Sequence, residues 1–337
     1  MVGRGAPLIA LVLGACTPAP AREAAHPSVV SLNPCTDAIL AEVADPAQIA
    51  GLSSYSSDPA ASSMDLALAR SFPSVSGSVE EVAALHPDLV IGSTFTAPAS
   101  VAAMARMGLH FTAFGAASTV AESEAQVSQI AALVGDPERG AALNARIDRA
   151  LELGAPLQQP PVNAVVWQSG GMVAGAGTLI SELLTRTGFT NMAAVHGMRQ
   201  ADLLPLEVMI ADPPRVIFVA GTGAGSEDRL LAHPALRALK WTLRAPLDPL
   251  LLWCGGPSIP RTVARLAMVR RAVAGLAPGL KGTTPQPPPL KRRGSPIGAL
   301  LAPSSSEELG HERNFKAPSS SEEGVGGGGP TRSADPT

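Results

Sequence analysis

Ser28–Leu32 (SVVSL) is a short, β-branched apolar run closed by Asn33-Pro34, and a helical stretch follows at Asp37–Val43 with Thr36 as its expected cap. The unit recurs along the chain. Ile49–Leu52 is a second strand-like run and leads into the Ser/Asp/Pro loop Ser53–Pro59. Val79–Leu85 is helical, and Pro87-Asp88 turns the chain into Leu89–Gly92, apolar throughout. Val101–Met107 reads as a helix stopped by Gly108, before a strand at Leu109–Phe114. Unbroken apolar strands alternating with helices predict a parallel sheet covered on both faces, because each strand then buries two sides. Two longer helical stretches come next, Val120–Val134 and, after the Gly135-Asp136 break, Pro137–Leu153. The alternation restarts at Asn163–Trp167 and continues through Thr178–Thr187, Leu206–Ala211 and Val216–Ala220. It closes with Pro257–Leu276, a helix opened by Gly-Gly-Pro. The expected fold class is α/β: two similar lobes with mostly parallel sheets, joined by helix.

Both ends of the chain fall outside this pattern. Arg4 and the apolar stretch Pro7–Leu13 read as an export signal too short to span a bilayer. Leu13-Gly14-Ala15-Cys16 resembles the lipobox of bacterial lipoproteins, in which the Cys is acylated before cleavage; an ordinary signal peptide or a buried N-terminal strand is the alternative. Residues 1–15 are thus read as a signal and 16–27 as a Pro/Ala tether. Lipidation at Cys16 would anchor the mature protein outside the cytoplasmic membrane. From Lys281 to Thr337 the periodicity stops; nine Pro, nine Gly, eight Ser and a repeated Ala-Pro-Ser-Ser-Ser-Glu-Glu predict a low-complexity disordered tail.

Composition narrows the function. With 46% hydrophobic residues the chain can build a core, and a net charge of −3 without basic runs speaks against a nucleic-acid binder. Three Cys cannot form a disulfide framework, and no Cys-x-x-Cys pair suggests zinc. Gly175-Ala176-Gly177 has Ile180 where a dinucleotide loop needs glycine, and Gly221-Thr222-Gly223 has Ser226 there, so both read as tight turns. The six His show no metal-ligand spacing, and His86 and His233, each before Pro, read as structural. No Gly-x-Ser-x-Gly elbow appears. With three Trp, one Tyr and seven Phe, any exposed aromatic is informative.

Three segments in order carry a family resemblance: Val29–Pro34 (VVSLNP), Gly51–Ser56 (GLSSYS) and Val79–Ile91 (VEEVAALHPDLVI). The second lobe adds Gly177-Thr178, Leu183-Leu184, Gly188, Asn191, Pro205-Leu206-Glu207 and His233–Leu236. From Ser28 to Leu280 the chain resembles class III periplasmic binding proteins, the receptors of ABC importers for vitamin B12 and iron–siderophores. Its Ser-Ser-Tyr-Ser segment is similar to the vitamin-B12 binders.

The resemblance implies an N-terminal lobe over 28–118, linking helices over 119–156 with Pro137–Leu153 as the spine, and a C-terminal lobe over 157–280. It implies a ligand cleft between the lobes, cobalamin or a related corrinoid as ligand, and an iron–siderophore or haem as the alternative. It implies no cofactor beyond that cobalt corrinoid or ferric chelate, no catalysis, and a monomer that delivers its ligand to an ABC permease and ATPase complex. By motif position Glu80 and Glu207 would dock on arginines of the permease, the alternative being two solvated helix carboxylates. Tyr55 and Trp253 would meet the ligand, with Trp167 a weaker candidate. Arg199 and Arg261 would serve an anionic siderophore or haem. The tryptophans that vitamin-B12 binders carry before each docking helix are missing, with Phe72–Ser76 and Gln200–Leu203 in their places.

Cys35 and Cys254 reach the cleft from either lobe in the resembled fold. Buried free thiols are expected first, ligand contact through a soft thiolate second, and a disulfide third, because an open cleft would hold the two Cα atoms too far apart. An extracytoplasmic enzyme with one of these thiols as nucleophile is the reading from a different class.

Overall fold

The computed structural model describes residues 26–156, 158–221 and 232–275. The signal, Cys16, most of the tether and the low-complexity tail lie outside the described residues.

The first sheet is built from β1 (Val29–Ser31), β2 (Ile49–Ser53), β3 (Ser74–Val75), β4 (Leu89–Ser93) and β5 (Phe111–Phe114) in the order β3-β2-β1-β4-β5. All its pairings are parallel. Alternate residues serve opposite faces: Val29 and Ile91 point into the central core, Val30 and Val90 into an outer cluster with Val75, Val82 and Met104. Helices α1 (Pro34–Val43), α2 (Leu66–Ala69), α3 (Val79–Ala84) and α4 (Pro98–Arg106) intervene between strands. The cap of α1 differs from expectation. Asn33, not Thr36, is the N-cap; its side chain accepts from the Cys35 amide, and Pro34 fills the first helical position, where its missing N–H costs nothing. Thr36 instead sits inside the first turn, its hydroxyl bonded to that of Ser31 at 2.8 Å.

Two helices come next, α5 (Val120–Leu133) and α6 (Pro137–Gly154). The second sheet then gathers β6 (Val162–Gln168), β7 (Met172–Ala174), β8 (Phe189–Asn191), β9 (Ala201–Leu203), β10 (Val216–Ala220) and β11 (Leu243–Pro246) in the order β11-β10-β6-β7-β9, with β8 paired to β6. Its β6, β8, β10 and β11 pairings are parallel, and β7 and β9 run antiparallel. Helices α7 (Leu179–Arg186), α8 (Met192–Val195), α9 (Leu206–Ala211), α10 (Pro234–Arg237) and α11 (Ser258–Gly275) complete this part.

One apolar core runs from Val29, Leu40 and Ile91 through Val127, Ile130, Leu143 and Ile147 of α5 and α6 to Val166, Phe218 and Leu266. Because α6 supplies the middle of that core, it is a spine rather than a tether. Arg270 of α11 is 3% exposed and donates to the carbonyls of Gly188 and Pro160, fixing the last helix to the chain before β6 and β8. Among the described residues no helix is long and apolar enough to cross a membrane.

Candidate functional site

Neighbouring parallel strands end side by side, so the segments after β2, β1 and β4 form a row at one end of the first sheet, with successive strands about 4.8 Å apart. Tyr55 lies in the one-turn helix Ser54–Ser57 after β2, Cys35 is in the first turn of α1 after β1, and Phe95 comes after β4. Tyr55 is 59% exposed and Phe95 84%. Phe95 did not stand out in the sequence, although its signal was there: a scarce aromatic placed directly after a buried strand.

The loop leading into α11 closes on the middle of this row. Cys254 is bonded to Cys35, with Cα atoms 5.1 Å apart, and the Trp253 carbonyl oxygen lies 3.6 Å from Cys35 Sγ. Trp253 itself is half exposed. The loop comes this close because two glycines allow it. A Cβ on Gly255 would overlap Ser123 Oγ of α5, and one on Gly256, whose φ is +60°, would stand 2.8 Å from Ile39 of α1. The Gly256 amide uses the gap to donate to Ser123 Oγ at 2.6 Å.

The expected ranking for the cysteines is therefore corrected. The loop is not across an open cleft from α1; it packs against α1 and α5, which removes the distance objection to a disulfide. A paired sulfur is no thiolate, so neither Cys35 nor Cys254 offers a soft donor to a ligand metal or a nucleophile while the bond stands. Cys254 is buried and Ser63 Oγ lies 2.9 Å from its sulfur, whereas Cys35 is half-buried at the row.

Beneath Tyr55 lies a carboxylate with no signature in the sequence. Asp37 of α1 is fully buried, and its Oδ2 accepts from the Ser53 amide (3.0 Å), Ser53 Oγ (2.5 Å) and Ser56 Oγ (2.6 Å). These donors bracket Tyr55. Oδ1 has no partner among the described residues. Burial pushes the Asp37 carboxyl up from 3.8 to about 7, against the pull of the Ser31, Ser53 and Ser56 hydroxyls and the Ser53 amide.

Glu80 and Glu207 occupy matched places, each the second residue of a six-residue helix, α3 and α9. Both are exposed, and neither joins an ion pair among the described residues. The neighbouring Glu81 is occupied instead. It accepts from the Ser76 amide at 2.7 Å and from the Ser76 hydroxyl, which hold its carboxyl below the usual range. Trp167 is 1% exposed in the outer core of the second sheet, which removes it as a ligand candidate. Arg199 and Arg261 are exposed. Gly175 and Gly177 lie against the backbone of Met198 and Arg199, with no room for a Cβ, so the would-be dinucleotide loop is a packed turn. Among the described residues no three His, Cys, Asp or Glu side chains gather to hold a metal. A cavity of about 530 Å³ lies away from the aromatic row. It lies on the flank where α1 and α2 meet α11, lined by Ala38, Glu42, Met64, Asp65, Leu68 and Arg261 among others. The flank is lined mostly by aliphatic side chains, with the exposed Glu42, Asp65 and Arg261 among them.

Residues 29–241 match the periplasmic binding protein family. The chain belongs to that family. Its members are the substrate-binding components of ABC importers, with a small-molecule ligand and a permease partner, and a periplasmic location goes with that role. Solved structures share the fold. The periplasmic haem-binding protein of Pseudomonas aeruginosa is 23% identical with a TM-score of 0.57, over 72% of this chain and 92% of that one. RhuT, a haem-binding protein from Roseiflexus sp. RS-1, is 24% identical with a TM-score of 0.57, over 74% and 98%. BtuF, the vitamin B12 binding protein of Vibrio cholerae, is 17% identical with a TM-score of 0.56, over 73% and 97%. No curated protein matches the chain. This binding protein thus has the expected two-lobed α/β fold with a helical spine.

Proposed function

We propose that this protein is an extracytoplasmic receptor that captures a metal chelate between its lobes and delivers it to an ABC permease. The observation that carries the reading is the exposed aromatic set Tyr55, Phe95 and Trp253, gathered at one end of the first sheet. Exposed rings gain most from a ligand that is itself flat and apolar on its faces, since each can bury up to about 150–250 Å². Cobalamin or a related corrinoid is the first candidate. Haem or a ferric siderophore is the second, favoured by the position before α3: there Phe72 packs on the core, leaving no tryptophan for a corrin ring. On this reading the protein works as a monomer without a chemical step, and Glu80 and Glu207 orient it on the permease. Cys16 ties it to the membrane.

Intrinsic tryptophan fluorescence, titrated separately with cyanocobalamin, cobinamide, haemin and a ferric hydroxamate, tests the reading. Saturable quenching by one of them, reduced at least tenfold in affinity by Trp253→Leu, is expected. Turnover of the probe, or no saturable quenching by any of the four, would overturn it.

A further inference from the structure

We propose that Asp37 is a positioning residue for ligand capture, its engaged oxygen setting where the Tyr55 ring stands at the cleft. The proposal rests on Tyr55 meeting the ligand.

Tyr55 is carried on a single turn, Ser54–Ser57, which has no side-chain cap of its own. That turn is held from below: Ser53 and Ser56, on either side of Tyr55, both donate to the same Asp37 oxygen. Asp37 is itself fixed, one helical turn after Asn33, whose carbonyl accepts its amide at 2.8 Å. The tyrosine is thus tied through a buried carboxylate to α1, and through Cys35 in that same first turn to Trp253.

The tie depends on charge. Hydrogen bonds to a carboxylate are roughly twice as strong as those to a neutral acceptor, so a proton on Asp37 weakens all three donors' hold on the turn. Oδ1, which has no hydrogen-bond partner among the described residues, is where the proton would go. The charged and titratable groups on the packed elements are few. The turn brings Tyr55 and, after it, Asp58; α2 packs on the turn with Asp65 and with Arg70, whose guanidinium donates to the Ser57 carbonyl at 3.5 Å. On α1 itself Glu42 is paired with Arg146 of α6 at 3.1 Å. Arg139 of α6 donates to the Ala44 carbonyl and pairs with Asp136. From α5 come Glu122 and Glu124; β1 and β2 bring hydroxyl and apolar groups only. Burial is the largest influence on the Asp37 proton, opposed by the three serine hydroxyls and the Ser53 amide.

Tyr55 is the chain's one tyrosine, so ring-¹³C-tyrosine labelling gives a single reporter. In the full-length protein between pH 5.5 and 8.5 its signal should move with a midpoint near 7, the value to which burial raises the Asp37 carboxyl. Asp37→Asn should leave the signal flat across that range. Ser56→Ala, which deletes one donor to the charged form, should raise the midpoint. A signal that does not move in the wild type, or a midpoint that Ser56→Ala leaves unchanged, would overturn the proposal whether or not Asp37→Asn folds. Haemin and cyanocobalamin titrations on the same samples provide the second arm. Tighter binding at pH 8.5 than at 5.5, by at least threefold and only in the wild type, is expected for whichever chelate binds. A titrating Tyr55 signal with no binding of either probe would sink Asp37's role in capture by these chelates while leaving its grip on the turn measured.

Discussion

Cys35 and Cys254 stand 219 residues apart in sequence and 5.1 Å apart at Cα, joining the first helix of the first lobe to the loop that opens the last helix of the second. A cross-link that closes so long a loop removes much of the unfolded chain's freedom. Replacing both cysteines by alanine should lower unfolding free energy by about 2–5 kcal/mol. Urea unfolding of the oxidised wild type and the double variant, with free thiols counted in each, checks this; equal midpoints would show that the disulfide adds no stability.

Glu80 and Glu207 each stand second in a short exposed helix, and charge-assisted pairing at two separated points fixes orientation as well as attraction. The Glu80→Ala/Glu207→Ala double variant should keep its ligand affinity within twofold and lose uptake in cells. Loss of affinity in the purified double variant would place these carboxylates in ligand binding instead.

Asp37 should leave a mark on stability as well as on Tyr55. Its carboxyl releases a proton near 3.8 in the unfolded chain and near 7 when folded. Between those values the folded protein holds more protons, so stability falls as pH rises from about 4 to about 7 and then levels, by at most about 4 kcal/mol. Asp37→Asn has no proton to lose there and should flatten that part of the curve. Chemical denaturation midpoints at pH 4.5, 6, 7.5 and 8.5 measure it; parallel curves for the two proteins would contradict the assignment.

Cys16→Ser should shift the protein from the membrane fraction to the soluble extract, or stop its maturation, because a diacylglycerol on that thiol is the proposed anchor. Fractionation together with intact mass decides; an unchanged membrane share and no lipid mass on the wild type would exclude lipidation.

The strands that the sequence revealed are the buried ones. Val29–Ser31, Leu89–Ser93 and Val216–Ala220 are apolar on both faces and stand out as unbroken runs. The edge strand Ala201–Leu203 is exposed at every residue, and Ser74–Val75 has only two, so neither leaves a hydrophobic pattern to read. At the site, Tyr55 was legible through its serine-rich loop. Asp37 was not, because nothing in the spacing from 37 to 53 and 56 says that one carboxylate serves both serines. The cysteine pairing was hidden for a related reason: it depends on Gly255 and Gly256 letting a loop lie against α1 and α5, a three-dimensional fact with no local signature.

That bond also turns the chain from Cys35 to Cys254 into a closed covalent ring holding every strand of both sheets but β1. A protease that nicks any loop inside the ring leaves one particle of unchanged mass apart from an added water, and its two fragments part only after reduction and unfolding. For a receptor working where hydrolases and no chaperone ATP are at hand, a single cut is then damage the molecule can survive.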